Sequence, residues 1–311
     1  MLTITVLVPT YRRPQDLARC LSMLQQQNRP ADEVLVIARD TDAETWAFLQ
    51  DYDPQSLNLR TVKVTVPGQV AALNAGLDAA QGEIIAITDD DAAPRTDWLS
   101  RIEAHFLADS QVGGVGGRDW IRHEDRIESG TRETVGQVQW FGRVIGNHHL
   151  GTGSAREVDI LKGANMSYRR TAIAGLRFDE RLRGTGAQVN NDLAFSLAVK
   201  RAGYKLIYDP AVAVDHYEGS RWGDDRVGHF DSALPAVYDS SFNEALVLLD
   251  YLPASRRALY LSWSLLIGTR KSPGILQAMR FTVPFGALAW LRCFTVQRGK
   301  FSALLALRSF Q

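Results

Sequence analysis

Short apolar runs alternate with amphipathic stretches through the N-terminal part of the chain. Residues 3–8 form a β-rich apolar run closed by Pro9. After Pro14, the positions Leu17, Cys20, Leu21 and Leu24 fall on one face of a helix that Pro30 would break. Residues 33–37 predict a second strand, residues 44–49 a short helix, and residues 59–66 a third strand stopped by Pro67-Gly68. Val70, Leu73, Ala75 and Leu77 suit a helix ended near Gly82, and residues 83–88 read as a fourth strand. Strands alternating with helices predict an α/β fold with a parallel sheet covered on both faces. The unbroken apolar run Ile84-Ile85-Ala86-Ile87 fits a strand buried on both sides.

The middle of the chain is less regular. Residues 112–115, with Gly113, Gly114, Gly116 and Gly117, predict a strand with close backbone approaches. Residues 121–155 are polar and Gly-rich, without a clear period. Residues 158–161 read as a strand, 163–167 as a loop and strand, and 193–202 as a helix capped by Gly203. Two further strands are expected at 205–208 and 211–214. Residues 220–238 mix Gly, Asp and aromatic positions and read as a mobile loop. From Phe242 onward the pattern is helical.

With 311 residues, the chain can form a large α/β domain with a helical appendage. Cys20 and Cys293 lie far apart and make neither a zinc spacing nor a disulfide framework, which fits a reducing compartment. The first residues read as a strand rather than an export signal, and no apolar stretch reaches the length of a spanning helix. The formal net charge of +0 hides an asymmetry: residues 251–311 hold nine basic and no acidic residues, so the rest of the chain stands at −9. Such a tail suits an anionic surface.

Asp89, Asp90 and Asp91 follow the fourth strand and precede Ala92-Ala93-Pro94. Ligands of open α/β sheets bind at the carboxyl ends of the strands. Adjacent carboxylates repel one another unless a cation joins them or water screens them. Mg²⁺ and Mn²⁺ take oxygen ligands and are often shared with phosphates. A cation here would neutralise a diphosphate as it leaves. The plainer alternative, an acidic surface turn, fits poorly behind so apolar a strand.

Four segments together resemble the family 2 glycosyltransferases with the GT-A fold. Val6-Leu7-Val8-Pro9-Thr10-Tyr11-Arg12-Arg13 is similar to that family's opening strand and nucleotide loop. Thr88-Asp89-Asp90-Asp91-Ala92-Ala93-Pro94, continuing to Leu99, is similar to its Asp-x-Asp segment. Lys162-Gly163-Ala164-Asn165-Met166-Ser167 resembles its acceptor-side strand. Asp192, followed by Arg201-Ala202-Gly203-Tyr204 and Val214-Asp215-His216, resembles the catalytic-base helix and the strand after it.

The resemblance implies a Rossmann-like, mixed, mostly parallel sheet flanked by helices, with a C-terminal helical region. It implies an inverting glycosyltransferase that moves a sugar from a nucleotide-diphosphate donor to an acceptor hydroxyl, in cell-envelope or lipid-linked glycan synthesis. A catalytic domain would cover 1–240, with a nucleotide-sugar half at 1–118 and an acceptor half at 119–240. A basic, amphipathic helical tail would follow at 241–311. Pro9, Thr10, Tyr11 and Arg13 would contact the donor, and Asn74 would lie near it. Asp89 and Asp90 would lie near the ribose and diphosphate. Asp91 would be the principal ligand of a divalent cation, Mn²⁺ or Mg²⁺, with Asp89 and His216 completing the site. Asp192 would be the general base that takes the acceptor proton. Its position at a helix start also suits a simple cap.

Two departures matter. The family often has an acidic pair with Gly-Ser after strand two. This chain has Ala38-Arg39-Asp40-Thr41-Asp42, so Asp40 or Asp42 would read the base. The family also often has Glu-Asp at the catalytic helix. Here Asn190-Asn191-Asp192 leaves one carboxylate, and an asparagine would orient substrate. Two other readings are a sugar nucleotidyltransferase and a catalytically inactive GT-A-fold binding or membrane-scaffold protein. The glycine-free loop Pro9-Thr10-Tyr11-Arg12-Arg13 argues against the first.

The expected partners are a nucleotide-sugar, with a UDP-sugar as first choice, and a glycan or lipid-linked acceptor. Residues 119–155 and 218–240 would select both. No nucleic-acid motif accompanies the basic tail. Its apolar segments, flanked by arginines, suit helices lying in a membrane interface or packed on the core or a second subunit. The expected location is cytoplasmic, with peripheral attachment to the inner face of the membrane.

Overall fold

The computed structural model describes residues 1–123, 126–217 and 233–309. The first elements follow the expected order: β1 (Ile4–Thr10), α1 (Pro14–Gln25), β2 (Glu33–Arg39), α2 (Ala43–Asp51), β3 (Leu59–Val64), α3 (Gln69–Ala79) and β4 (Ile84–Ile87). β3, β2, β1 and β4 lie side by side and parallel. β1 and β4 are buried at every position, as continuous apolar runs require. α1 buries Leu17, Cys20, Leu21 and Leu24 and ends at Gln25, before Pro30. β1 continues through Pro9 instead of stopping there. Its ladder to β4 ends at Leu7, and Pro9 faces that same side, so its missing N–H leaves no partner unserved.

β5 (Ala92–Pro94), β6 (Val112–Ile121), β9 (Arg156–Val158), β10 (Met166–Arg169) and β11 (Lys205–His216) complete the sheet, with α4 (Trp98–Ala108) and α5 (Asn191–Arg201) among them in the chain, while β7 (Gln137–Val138) and β8 (Val144–Ile145) form a separate small ribbon. β10 runs antiparallel between β4 and β6, and β11 lies parallel to β6. The far edge of β11 pairs antiparallel with β9 at its start and with β5 at its end.

Three local differences from expectation have physical causes. The strands expected at 205–208 and 211–214 are one strand with a bulge. The register jumps from Asp209 opposite Gly117 to Ala213 opposite Arg118. A Cβ on Gly117 would overlap the carbonyls of Val212 and Asp209, so only glycine fits beside the bulge. The strand expected at 158–161 forms at Arg156–Val158, because the N–H groups of Asp159 and Ile160 both bond the Gly136 carbonyl. The expected loop 220–238 lies outside the described residues as far as 232. Beyond that, a helix begins at Leu234, with Pro235 in its first turn.

Two compact units divide the chain. The first holds the large sheet and comprises Met1–Gln137, Ile145–Phe178 and the described part of Phe195–Ser220. The second comprises Val138–Val144, Asp179–Ala194 and the described part of 221–311. It is built on α6 (Leu234–Tyr251), α7 (Ala254–Leu266), α8 (Ile275–Phe285) and α9 (Ala287–Ser309). α9 packs along α6, where Gly299 lies so close to the Tyr238 carbonyl that a Cβ would collide. Among the described residues, no helix is long and apolar enough to cross a membrane.

Within the first unit, the fully buried Asn165 acts as a clamp. Its Oδ1 accepts from Trp98 Nε1 at 2.8 Å, and its Nδ2 donates to the Val212 carbonyl at 2.8 Å. Asn165 thereby ties the start of α4 to the bulge of β11. Asn165→Ala leaves a buried indole N–H and a buried carbonyl without these bonds, at about 1–3 kcal/mol each. Urea unfolding is expected to show a loss of about 3 kcal/mol. A loss below about 1 kcal/mol would remove the clamp from the account of stability.

Candidate active site

The acidic turn after β4 is closed by the end of β11. Ala92 pairs with His216 and Ala93 with Asp215, and Tyr217 N donates to the Asp91 carbonyl at 2.9 Å. This pairing sets His216 Nε2 3.1 Å from Asp91 Oδ1. Asp89, Asp91 and His216 each offer a ligand atom, all within 4.8 Å of one another. Asp91 and His216 are buried, and Asp89 is half-buried. From the end of β1, Thr10 Oγ1 donates to Asp90 Oδ2 at 2.8 Å. Arg13 bridges Asp90 at 3.1 Å and Asp91 at 3.0 Å. Gln69, at the start of α3, donates to Asp89 at 3.3 Å.

Burial dominates the electrostatics. It pushes Asp90 up to about 7, helped by the charges of Asp91 and Asp89 and opposed by Arg13 and Thr10. Burial, then Asp91, also raises Asp89, against His216, Lys162 and Arg13. For His216, burial works against the charged ring. The hydrogen bond and charge of Asp91, with Asp119 and Asp89, outweigh it and raise its pKa. His216 Nδ1 is buried and has no hydrogen-bond partner among the described residues. Two carboxylates and an imidazole, in a pocket that disfavours its own negative charge, fit a divalent cation such as Mn²⁺ or Mg²⁺.

The other expected residues are placed as follows. Pro9 is buried and Tyr11 half-buried at the end of β1. Asp42 is buried and caps α2, accepting from Arg12 N at 2.6 Å, Thr45 N at 3.2 Å and Thr45 Oγ1 at 2.7 Å. The Arg12 bond holds that residue at φ 55°, so Asp42 shapes the loop after β1. Asp40 is exposed, beside Arg39. Asn74 is buried and exchanges two hydrogen bonds with the Phe178 backbone, at 3.0 and 2.9 Å. In the second unit, Asp192 lies half-buried in the first turn of α5, where its Oδ1 accepts from Leu193 N at 2.8 Å. Asn190 donates to the Ser240 carbonyl and Asn191 to those of Ala187 and Gln188, so both amides brace the backbone. Gln69, Lys162 and the buried Asp119 also act on the cluster, and no spacing marks them for it, because each comes from a different part of the chain.

A cluster fit to hold a cation at the carboxyl ends of a mostly parallel sheet, with one antiparallel strand set inside it, defines a GT-A-type fold. The model of glycosyl transferase family 2 matches residues 5–176, and the chain belongs to that family. The match contains the three aspartates and stops short of Asp192 and His216. Among curated relatives, the glycosyltransferase AglE of Haloferax volcanii is 28% identical over 101 residues, covering 32% of this chain and 33% of the relative. The chondroitin synthase of Escherichia coli is 30% identical over 120 residues, covering 38% of this chain and 18% of the relative. The chain thus spans a third or less of either relative's length. Among solved structures, the mannosyltransferase PcManGT of Pyrobaculum calidifontis, in complex with GDP-Man and Mn²⁺, has a TM-score of 0.52 at 19% identity. That alignment covers 99% of this chain and 75% of the other. TarS (residues 1–349) of S. aureus, in complex with UDP-GlcNAc, has a TM-score of 0.54 at 15% identity, covering 98% and 92%. These likenesses show the fold.

Mn²⁺ at about 100 times its dissociation constant is expected to stabilise the native protein by about 2.7 kcal/mol. This appears as a higher Tm in a thermal scan. Asp91→Asn removes the rise. An equal rise in Asp91→Asn, or none in the unaltered protein, would take the cation away from this cluster.

Proposed function

We propose that the chain transfers a sugar from a nucleoside-diphosphate donor to an acceptor hydroxyl, with inversion at the anomeric carbon. The Asp89–Asp91–His216 cluster at the strand ends of a family 2 member carries this reading. Solved relatives of the same fold holding GDP-Man with Mn²⁺ and UDP-GlcNAc support a nucleotide-sugar donor. A UDP-sugar is the first choice, and the acceptor is a glycan or a lipid-linked hydroxyl at the cytoplasmic face of the cell envelope.

The roles are those that the family resemblance implies by position. Pro9, Thr10 and Tyr11 would line the nucleotide loop, and Arg13 would meet the phosphates. Asp40 is the better reader of the base, since Asp42 already holds Arg12 and Thr45. Asn74 would shape the donor side through its brace on Phe178. Asp89 and Asp90 would lie beside the ribose and diphosphate. Asp91, Asp89 and His216 would hold a divalent cation, which when bound supplies positive charge against the diphosphate. Asp192 would take the acceptor's proton while the acceptor oxygen bonds the anomeric carbon. The bond from that carbon to the diphosphate oxygen breaks with its electron pair, and the nucleoside diphosphate departs.

A panel of nucleotide-sugars, assayed with Mn²⁺ or Mg²⁺, is expected to show cation-dependent transfer or hydrolysis of one donor. Asp192→Asn should lower kcat by about 10²–10⁴ while calorimetry still detects donor and Mn²⁺ binding. Full activity in that variant removes Asp192 as the base. If no donor binds in the presence of metal, the transferase reading fails and a non-catalytic scaffold takes its place.

A further inference from the structure

The second unit keeps an apolar face in solvent. On α8, Leu276 (57% exposed), Met279 (56%) and Val283 (93%) follow helical spacing on one side, with the exposed Arg280 among them. On α9, Leu291, Phe294, Arg298, Phe301 and Leu305 recur every three or four residues, all exposed. The opposite side of α9 packs on the unit's own core and buries Val296, Ala303 and Leu307, with Arg292 and Lys300 among them. The apolar side chains left on the outward side call for a second apolar phase besides that core. α9 has 23 residues, about 35 Å, yet is not apolar enough to span a bilayer. Trp290 Nε1 donates to Thr282 Oγ1 at 3.0 Å, which ties α8 to α9 beside this face.

Charge selects the occupant. Arg270, Lys271, Arg280 and Arg298 are exposed, and residues 251–311 contain no carboxylate side chain. A second copy docked here would set arginine against arginine with no acidic residue of the segment to pair them. A surface of anionic lipid headgroups over acyl chains matches both the charge and the apolar stripes. We propose that the outward face of α8 and α9 docks on an anionic membrane surface. The helices lie in the interfacial plane, with Phe294 and Phe301 entering the acyl boundary and the arginines at phosphate level. This stands independently of the transferase reading.

Flotation of the full chain with phosphatidylcholine vesicles, with and without phosphatidylglycerol, tests it. Binding is expected on the phosphatidylglycerol vesicles, weakened by salt, with a blue shift of tryptophan fluorescence. Arg280→Ala and Arg298→Ala should each lower the partition coefficient about fivefold at low salt. The double variant Phe294→Ser/Phe301→Ser should abolish binding while its Tm stays unchanged. If that variant fails to fold, the arginine variants decide. No preference for phosphatidylglycerol, or full binding by both sets of variants, overturns the proposal. A dimer in sedimentation, dissolved by the phenylalanine substitutions and without vesicle binding, also overturns it and assigns the face to a second copy.

Discussion

The short antiparallel pairing of Ala92–Pro94 with the end of β11 governs everything at the carboxyl edge of the sheet. Three residues of ladder cannot offset their own ordering entropy, at about 1–2 kcal/mol per residue. Neighbours hold the pairing in place. Arg95 N donates to the Ala213 carbonyl at 3.1 Å, and Arg95 pairs with Asp215 at 3.4 Å. Asn165 fixes Trp98 on one side and Val212 on the other. Without this closure the three aspartates would sit on a solvated turn. With it, two of them are buried and one meets an imidazole.

Burial gives the cluster its chemistry and its instability. Asp90 is held near neutral range by desolvation, its neighbours' charges adding to the effect. A carboxyl raised in the folded state contributes stability that is complete below its unfolded pKa of about 3.9. That contribution is lost as pH rises through about 7. In the cation-free protein, ionisation of Asp90 therefore works against folding at neutral pH. Thr10, the last residue of β1, and Arg13, at the cap of α1, offset part of this. The turns that follow β1 and β4 thus supply the charges at the edge of the hydrophobic centre that those strands build.

The sequence made the centre of the sheet legible because residues 6–8 of β1, 34–38 of β2 and all of β4 are unbroken apolar runs. The helical spacing of Trp98, Leu99, Ile102 and Phe106 marks α4 as well, a helix not among the expected elements. β5 could not be read, since Ala-Ala-Pro is a strand only by virtue of its partner. β6 ran on to Ile121 past glycines chosen for close packing, not for strand preference. Of the candidate site, the acidic turn was visible from its own residues. The meeting of Asp91 with His216, far apart in sequence, was available only through the family resemblance. The structural duty of Asn74 had no sequence signal, because its buried hydrogen bonds reach the distant Phe178 backbone and leave no local pattern. The same holds for the bond from Arg12 N to Asp42, whereas the cap that Asp42 makes on Thr45 is local.

The bulge in β11 has a consequence for how the molecule tolerates change. In an uninterrupted ladder, a slip of one residue turns every later side chain to the other face of the sheet. Here three extra residues stand between the half of β11 that pairs with β9 and the half that ends in His216. The two halves hold separate registers. An insertion or deletion in the turn between α5 and β11 can be taken up before or within the bulge, and His216 keeps its place beside Asp91. The start of β11 can therefore drift in length while its end beside Asp91 stays fixed.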